Sequence, residues 1–421
     1  MKKIDRRIRL AAGVVIFIMA GIIYSWSIMS RTISASRDWS TSSLSLTFTI
    51  VMICFFLGNI ICGFLSRKIK PRFFVIISAI LFFSGFMTAA QTASSPVTLY
   101  IGIGVLCGFG SGLAYNAVMG TICAHFPERP GLISGVLLMG FGLSSFINGK
   151  IFAAAAPADG SDTWKTVYMV LAVVYLAVLV LCSLFIEKPA ENAADDTPSS
   201  KKQEQVSGAE ISTSKMLHNP SFWLFYIWVT MASAIGLTLS GQASGFASQV
   251  GTGVSDGMIA TVVGLISVVN GPSRAVFGQI YDKIGYKKSM ITDIVMSAVS
   301  ISVLLTALFL NSFVLIIAGF VLSGFSNAAV SPVQSALIRE FYGGKYYSAN
   351  LSVLLSNLII SSFAQTLSGR LYDVSGSYVS TVMMMFIMLI VEILVLPGIK
   401  KPGEIRKTEH KIGKYHEEFQ G

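Results

Sequence analysis

Charged side chains are scarce in this chain of 421 residues: only 12% are Asp, Glu, Lys or Arg, whereas 53% are hydrophobic. Soluble domains average about 25% charged residues, so this shortage excludes a soluble globular protein. Apolar runs recur along the chain, and each reaches the roughly 18 residues needed to cross about 30 Å of hydrocarbon. Because a backbone in lipid must satisfy its own hydrogen bonds, the pattern predicts an all-α integral membrane protein.

The residues of common catalytic and cofactor sites are also missing. The five cysteines all fall within apolar runs and form no ligand-type spacing, so we expect packing residues rather than disulfides. No Walker loop, metal-ligand set, nucleophile–base arrangement or cofactor fingerprint occurs. The sequence therefore predicts neither an enzyme nor an ATP-driven pump, with no metal and no cofactor.

The net charge of +10 would suit a nucleic-acid partner, but the basic residues lie in short loops between apolar runs. Such placement is typical of membrane topology. A cytoplasmic N-terminus puts most basic loops on one side and leaves only scattered charges on the other, such as Arg31, Arg37, Lys165 and Arg370. We therefore expect a multi-pass protein of the bacterial plasma membrane with both termini in the cytoplasm. The lipid bilayer, not nucleic acid, is its expected large partner.

Hydropathy divides the chain into twelve predicted transmembrane helices. Their ranges are 9–31, 44–65, 73–91, 97–123, 131–153, 164–186, 221–247, 257–280, 289–309, 312–338, 347–369 and 376–397. A polar stretch rich in Glu, Asp, Ser, Lys and Pro separates the sixth helix from the seventh. We predict an N-terminal six-helix half over 1–187, a cytoplasmic linker over 188–220, a C-terminal six-helix half over 221–397 and a cytoplasmic tail over 398–421.

The two halves repeat each other at a nearly constant spacing. A glycine-rich stretch around Asn59 matches the stretch around Arg274 at an offset of 215 residues, and Gly108-Phe109 matches Gly324-Phe325 at an offset of 216. Two pseudo-symmetric six-helix halves, with a site between them near the midplane, describe a secondary transporter.

A second motif lies between the eighth and ninth predicted helices and reads GQIYDKIGYKK. It resembles the loop motif of the major facilitator superfamily. Its glycines allow close helix approach and a tight turn, while its carboxylate and cations can latch neighbouring helix ends. We therefore assign gating to Gly278, Asp282, Lys283 and Gly285; the alternative is an ordinary basic turn. The copy in the first half is degraded, since Arg67 stands at the aspartate position.

Five segments spread over most of the chain carry a more specific pattern. They are GIIYSWS at 21–27, the glycine ladder that ends in Gly112-Leu-Ala-Tyr115, FPERPG at 126–131, NGPSRAVFG at 270–278 and FYGGKYYSAN at 341–350. Together they resemble the oxalate/formate antiporter family, relatives of the monocarboxylate transporters. The resemblance implies the major facilitator fold. In that family the arginine of the eighth helix binds a substrate carboxylate, which implies this role for Arg274.

The eleventh predicted helix departs from that family. Oxalate carriers place a lysine there, whereas the stretch 351–365 reads LSVLLSNLIISSFAQ and carries no charge. A dianion held by one guanidinium would leave a carboxylate unpaired in a low-dielectric cavity, which is costly. We therefore expect a monocarboxylate such as lactate, pyruvate or formate rather than oxalate.

Arg274 lies at a position where a charged side chain costs free energy. The segment 257–280 contains no other charge, and Arg274 stands eight positions before Asp282, which places it about 12 Å from the membrane edge. An arginine at that depth costs on the order of several kcal/mol unless it faces a wet cavity or a partner. We interpret it as the residue that binds the cargo; the alternative is that it snorkels to the cytoplasmic interface.

Four further residues are candidates to bind the cargo. Tyr24, Tyr115 and Asn350, on the first, fourth and eleventh helices, can donate hydrogen bonds. A tyrosine in a membrane span can also be a packing or interfacial residue. Asn270, one turn before Arg274, is predicted either to orient the arginine or to touch the substrate.

Two modes of coupling remain open. Exchange of one anion for another needs no proton on the protein, whereas proton symport needs a titratable group at membrane depth. Glu392 is a candidate, although we expect it at the interface rather than in the cavity. The predicted function is alternating-access transport of a small organic anion by a monomer, as an exchanger or a proton symporter. A transporter of another cargo, such as a drug or a sugar, and a non-transporting receptor are the alternatives.

Overall fold

The computed structural model describes residues 5–66, 68–126, 130–187, 210–251, 253–343 and 346–402. Eleven helices in these ranges are long and apolar enough to cross a membrane, which confirms the all-α integral membrane fold. Most of the predicted linker and tail falls outside the described residues, so the predicted domain boundaries stay predictions. Arg67 and the centre of the FPERPG segment, Pro127–Arg129, also lie outside them.

Six helices form the first half, and their ends lie within a few residues of the predicted ones. They are α1 (Arg6–Ser36), α2 (Thr41–Leu65), α3 (Pro71–Ala90), α4 (Val97–Ala124), α5 (Pro130–Ala155) and α6 (Thr163–Ser183). Both α3 and α5 begin at a proline, because the first helical turn needs no backbone donor and suits the fixed φ of this residue.

The second half begins with α7 (Pro220–Val250) and a continuous helix of 54 residues, Asp256–Phe309. It ends with α10 (Phe313–Tyr342), α11 (Asn350–Ser375) and α12 (Val379–Gly398). A straight helix of 54 residues would be about 80 Å long, far more than the roughly 30 Å of hydrocarbon. This helix must therefore contain two spans.

The division between those two spans lies at Gly285, whose φ of 75° and ψ of 174° are not helical. A positive φ favours glycine, because glycine has no Cβ to clash with the backbone. Dividing the helix there gives α8 (256–284) and α9 (286–309), and twelve spans in total. The predicted break between the eighth and ninth helices thus consists of a single residue rather than a loop.

Each half has its own apolar core. Phe82 and Tyr175 belong to the core of the first half, and Phe225 and Met385 belong to that of the second. The halves meet where α2 packs against α11 and where α5 packs against α8. These four helices form a large part of the interface between the halves.

Hydrogen bonds identify the helix ends that share one face of the molecule. The Arg9 guanidinium near the start of α1 donates to the carbonyl of Phe185, just after α6, at 3.0 Å. The Ser221 hydroxyl at the start of α7 donates to the carbonyl of Lys400, just after α12, at 2.7 Å. We call this side the terminal face and the other side the opposite face.

The hydrogen bonds and ion pairs that the structure describes between the two halves all lie toward the opposite face. Arg31 on α1 forms an ion pair with Asp256 at the start of α8. The backbone N–H groups of Thr41 and Ser42, at the start of α2, donate to the carboxylate of Asp373 on α11 at 2.8 and 2.9 Å. These contacts tie the halves together at the opposite face.

Loss of the Arg31–Asp256 ion pair is expected to weaken this seal. Asp256→Asn removes the negative charge with little change of shape. Both side chains are partly exposed, at 29% and 27%, so we expect a loss of about 1 kcal/mol. The population open at the opposite face should then rise roughly fivefold. Distances between spin labels at Ser94→Cys and Asn311→Cys, in a background without the native cysteines, would measure that population.

Asp159→Asn provides a matched control. This exposed carboxylate lies in the loop after α5 and accepts a hydrogen bond from the backbone N–H of the neighbouring Ser161 at 2.9 Å. Its removal should leave the distance distribution unchanged. Equal distributions for Asp256→Asn and the wild type would show that the ion pair does not hold the seal.

Candidate functional site

The α1 helix tightens into a 3-10 helix at Gly21–Ser25. Gly21 lies directly against α5, and a Cβ at this position would meet the carbonyl oxygen of Phe141 and the side chain of Ser144. Only a glycine allows this approach without displacing one of the helices. A 3-10 segment within a longer helix often marks a functional hinge, and this one carries Tyr24.

Two carbonyl groups of this segment receive donors from neighbouring helices. The Ser111 hydroxyl on α4 donates to the Ala20 carbonyl at 2.7 Å, and the Ser145 hydroxyl on α5 donates to the Tyr24 carbonyl at 3.2 Å. An irregular turn inside a membrane needs such partners, because lipid supplies none. The two serines therefore stabilise the turn that positions Tyr24.

A cluster of aromatic rings supports the tyrosine side chains. Phe141 on α5 stands at its centre, with ring centroids 5.5 Å from Tyr24 and 5.4 Å from Tyr115. The rings of Phe17 and Phe55 lie 5.6 and 6.0 Å from that of Phe141. Edge-to-face and tilted packing of this kind favours defined ring orientations, so α1, α2, α4 and α5 together fix the two tyrosines.

Arg274 lies partly buried on α8, near these tyrosines. Its Nε donates to Oδ1 of Asn270, one turn earlier, at 3.0 Å. Its positive charge acts electrostatically on both Tyr24 and Tyr115. Within the described ranges no carboxylate pairs with Arg274 and neither Nη atom has a hydrogen-bond partner. The guanidinium thus presents the fork that binds a carboxylate through two parallel hydrogen bonds.

A proline lies inside α8 near this arginine. Pro272 lies inside the helix two residues before Arg274, and a proline removes the N–H that would bond the carbonyl of Val268. On the adjoining turn the carbonyl of Ser267 lies against Gly142 of α5, where a Cβ would approach it to 3.0 Å. A proline lets a membrane helix bend, and here the bend would move Arg274 relative to α5.

The structure brings together four of the five predicted binding residues. Arg274, Tyr24 and Tyr115 form one electrostatic group between the halves, and Asn270 holds the arginine through its amide oxygen. Of the two roles considered for Asn270, its hydrogen bond supports orientation of the arginine.

Asn350 has a different position from the one that the sequence suggested. Its side chain is buried, its Oδ1 accepts from the Thr213 hydroxyl at 2.8 Å, and its Nδ2 donates to the Ile211 carbonyl at 3.2 Å. Both amide groups therefore bind the chain just before α7 at the terminal face. Asn350 anchors that segment and is not part of the group around Arg274.

The polar side chains of α11 over 351–365 are neutral. On α11 the Ser361 hydroxyl donates to the Thr230 carbonyl at 2.8 Å, and the uncharged stretch 351–365 supplies no cation. Sequence reasoning passed over one other cation within a span, Lys150 on α5. It is exposed, lies 5.3 Å from the ring centroid of Phe146 and does not act on either tyrosine. Arg274 is therefore the cation of this group.

The four predicted gating residues lie together at the terminal end of α8. Asp282 and Lys283 are exposed, and a Cβ at Gly278 would have nothing within 4 Å. Gly285 forms the reversal into α9 described above. The tight turn predicted for the glycines is thus present at Gly285, whereas the close helix approach expected at Gly278 is not seen in this conformation.

Tyr281 makes the contact between helix ends that we expected from Asp282. Its hydroxyl donates to Glu340 at the end of α10 at 2.7 Å, and Lys401 lies 3.6 Å from the same carboxylate. Among the described residues Asp282 has no hydrogen bond and no ion pair. Its latching role stays a prediction, which would apply to a state in which the helix ends lie differently.

Two buried carboxyl groups lie in the second half, away from Arg274. The expectation that Glu392 lies at the interface is wrong: it is 0% exposed inside the core. Asp293 on α9 is 1% exposed, and sequence reasoning missed it. The signal was present, because Asp293 is the single charged residue in the apolar stretch 289–309.

Two packed six-helix halves, a broken first helix and an arginine on α8 between the halves define a membrane transporter with its site at the interface of the halves. A family model, the Major Facilitator Superfamily, matches residues 10–352 and 243–414. The chain belongs to this superfamily of transporters.

Several relatives match most of the chain at low identity. It is 25% identical to the uncharacterised transporter YhjX of Escherichia coli, over 81% of this chain and 82% of that one. It is 23% identical to the oxalate:formate antiporter of Oxalobacter formigenes, over 78% and 76%. It is 24% identical to monocarboxylate transporter 13 of Rattus norvegicus, over 86% and 81%.

Solved transporter structures share the fold. A bacterial homologue of the human lysosomal transporter Spinster, inward-facing and unoccupied, superposes with a TM-score of 0.73 at 13% identity, covering 94% of this chain and 96% of that one. The Escherichia coli xylose transporter XylE, partially occluded and inward open, gives 0.68 at 14% identity over 94% and 98%. At these identities the likeness concerns the fold alone.

Adding a methyl group at Gly21 is expected to push α1 away from α5. Gly21→Ala would place its Cβ against the Phe141 carbonyl, and overpacking of this kind costs roughly 1–3 kcal/mol. The unfolding temperature in detergent, followed by intrinsic fluorescence, should fall. Gly120→Ala on α4 is the control, because a Cβ there has nothing within 4 Å. Similar unfolding temperatures for the two variants would contradict the close packing at Gly21.

Proposed function

We propose that this protein moves a small monocarboxylate, such as lactate, pyruvate or formate, across the membrane by alternating access. The observation that carries the proposal is the state of Arg274, which is held through Nε while both Nη atoms have no partner in the described chain. The carboxylate of the cargo would bind this fork. Relatives named for oxalate:formate exchange and for monocarboxylate transport support this class of cargo.

Charge balance favours one carboxylate over two. The repeat counterpart of Arg274 is Asn59, which accepts a hydrogen bond from Asn116 at 2.7 Å and contributes no charge. One guanidinium with one carboxylate gives a site that is neutral when loaded. A second carboxylate would remain unpaired in a low-dielectric cavity at a cost of several kcal/mol.

The aromatic cluster adds to this preference. The hydroxyls of Tyr24 and Tyr115 can donate to the cargo carboxylate, whereas the rings around Phe141 offer no cation. Low-dielectric walls strengthen the attraction between a guanidinium and a carboxylate. A cargo with one charged end and a small neutral body is therefore the best match to Arg274 and the aromatic cluster.

Alternating access requires the seal at the opposite face to open while the terminal face closes. The 3-10 turn in α1 and Pro272 in α8 are the two irregular points beside the cargo site, and we propose that the helices bend there. The basic loops favour a cytoplasmic terminal face. On this reading both termini lie in the cytoplasm of a bacterium, and the protein works in the plasma membrane as a monomer.

Transport in proteoliposomes tests the proposal directly. Arg274→Ala removes the charge and the fork, and a loss of about 2–5 kcal/mol predicts at least a roughly 30-fold fall in uptake of lactate, pyruvate or formate. Arg274→Lys keeps the charge but not the bidentate geometry, so its uptake should lie in between. Arg370→Ala is the control, since Arg370 is exposed at the far end of α11 and has no partner among the described residues.

Two results would contradict the proposal. Uptake by Arg274→Ala at the wild-type rate would remove Arg274 from the site. Faster transport of oxalate than of every monoanion would overturn the argument from a single cation. Counterflow in the same vesicles, with unlabelled anion inside and labelled anion outside, separates loss of binding from loss of a driving gradient.

A further inference from the structure

Asp293 on α9 and Glu392 on α12 form a buried acidic pair. The side chains are 1% and 0% exposed, and none of their four carboxyl oxygens has a hydrogen-bond partner in the described parts of the chain. The helices α9 and α12 pack against each other, their neighbours Met290, Ile294 and Leu389 belong to one core, and the Asp293 carboxyl group acts electrostatically on that of Glu392. A folded protein leaves few buried polar atoms unsatisfied, and four at one place require an explanation.

Among the residues that the structure describes, no neighbouring charge neutralises the pair. The charged groups nearest along these elements are Lys287 and Lys288 at the start of α9 and Lys400 after α12, and none of them acts on either carboxyl group. An ionised carboxylate buried without a partner costs several kcal/mol, and two together repel. The pair must therefore hold at least one proton in this conformation.

A proton fits this place better than a metal cation. Sodium or calcium requires about six oxygen ligands, whereas Met290, Ile294 and Leu389 beside the two carboxyl groups are apolar members of the same core. The indole Nε1 of Trp228, in that core, is a further buried group without a partner. This N–H is a hydrogen-bond donor, so it can donate to a carboxylate oxygen but would repel a cation.

The fold itself does not require acidic residues here. At the 215-residue offset that relates the halves, Asp293 corresponds to Ser78 (293 − 215 = 78), whose hydroxyl donates to the Gly110 carbonyl at 2.7 Å. The first half therefore uses a satisfied serine where the second half has an unsatisfied carboxyl group. The difference between the repeats indicates a task performed by the second half alone.

The position of the pair connects it to both the solvent and the cargo site. Asp293 is seven residues from the start of α9 and Glu392 six residues before the end of α12, so both lie about 10 Å from the terminal face. The turn at Gly285 joins α9 to α8, which carries Arg274. Movement of α8 on cargo binding would therefore be transmitted to α9 and change how closely the two carboxyl groups are enclosed.

We propose that Asp293 and Glu392 form a proton-binding site that couples carboxylate transport to a proton gradient. This inference rests on the proposed function. Of the two modes of coupling, anion exchange and proton symport, it selects proton symport. One proton binds a carboxylate oxygen of the pair when α9 and α12 admit water on one side of the membrane. It leaves when they admit water on the other side, while one monocarboxylate crosses on Arg274. No covalent bond other than O–H forms or breaks.

Isosteric neutral variants test the coupling. In proteoliposomes, Asp293→Asn and Glu392→Gln should reduce proton-gradient-driven accumulation of lactate, pyruvate or formate at least tenfold. Both should retain counterflow exchange within about twofold of wild type, which also demonstrates folding. Asp159→Asn is the matched control, because this exposed carboxylate in the loop after α5 accepts from the backbone N–H of Ser161 and its loss should leave proton-driven accumulation unchanged.

A spectroscopic signature provides a second readout that a purely structural role would not produce. Infrared difference spectra on addition of the transported anion should show a carboxylic-acid C=O band that shifts in heavy water and disappears in Asp293→Asn or Glu392→Gln. If one variant fails to fold, the other variant and the wild-type spectrum still show whether the pair binds the proton.

Three results would overturn the inference. They are wild-type accumulation that a pH gradient does not drive, proton-driven accumulation that survives in both variants, and accumulation that follows a sodium gradient instead. These results can be distinguished from failure of the proposed function. In that case the wild type would transport none of the carboxylates in counterflow.

Discussion

A guanidinium inside a membrane costs roughly 2.5–3.5 kcal/mol even by the milder insertion scales, and no acidic partner for Arg274 exists within the described residues. The surrounding structure compensates in specific ways. Asn270 accepts a hydrogen bond from Nε, and the charge acts electrostatically on Tyr24 and Tyr115. The 3-10 turn in α1 and Pro272 in α8 are points at which these helices can bend. Under the proposed function, a carboxylate from solution supplies the negative charge that pairs with Arg274.

The two halves share a fold but divide the chemistry unequally. In the first half Asn59 and Ser78 form neutral hydrogen bonds with α4, and the aromatic cluster around Phe141 forms a wall. In the second half the corresponding positions are Arg274 and Asp293. The two halves therefore share a frame, while the residues proposed to bind the cargo and the proton both lie in the second half.

Hydropathy was sufficient to predict the twelve spans, because the requirement to fill about 30 Å of hydrocarbon acts on every span alike. Arg274 was equally visible, since a charge in an apolar run stands out in sequence. Asn350 was misplaced because a motif does not reveal which face of a helix a side chain occupies, and its amide turns toward Thr213. Glu392 was expected at the interface because it lies near a helix end. Its partner Asp293 is 99 residues away in sequence (392 − 293 = 99), so the pair is apparent only once α9 packs against α12.

The most direct measurement of the central claim is an experimental structure of the protein with a transported monocarboxylate bound. The account predicts one carboxylate with both oxygens about 2.7–2.9 Å from the Nη atoms of Arg274, with the hydroxyls of Tyr24 and Tyr115 in contact and Asn270 still bound to Nε. An anion bound elsewhere, with Arg274 extended to the terminal face and paired with a lipid phosphate, would contradict it.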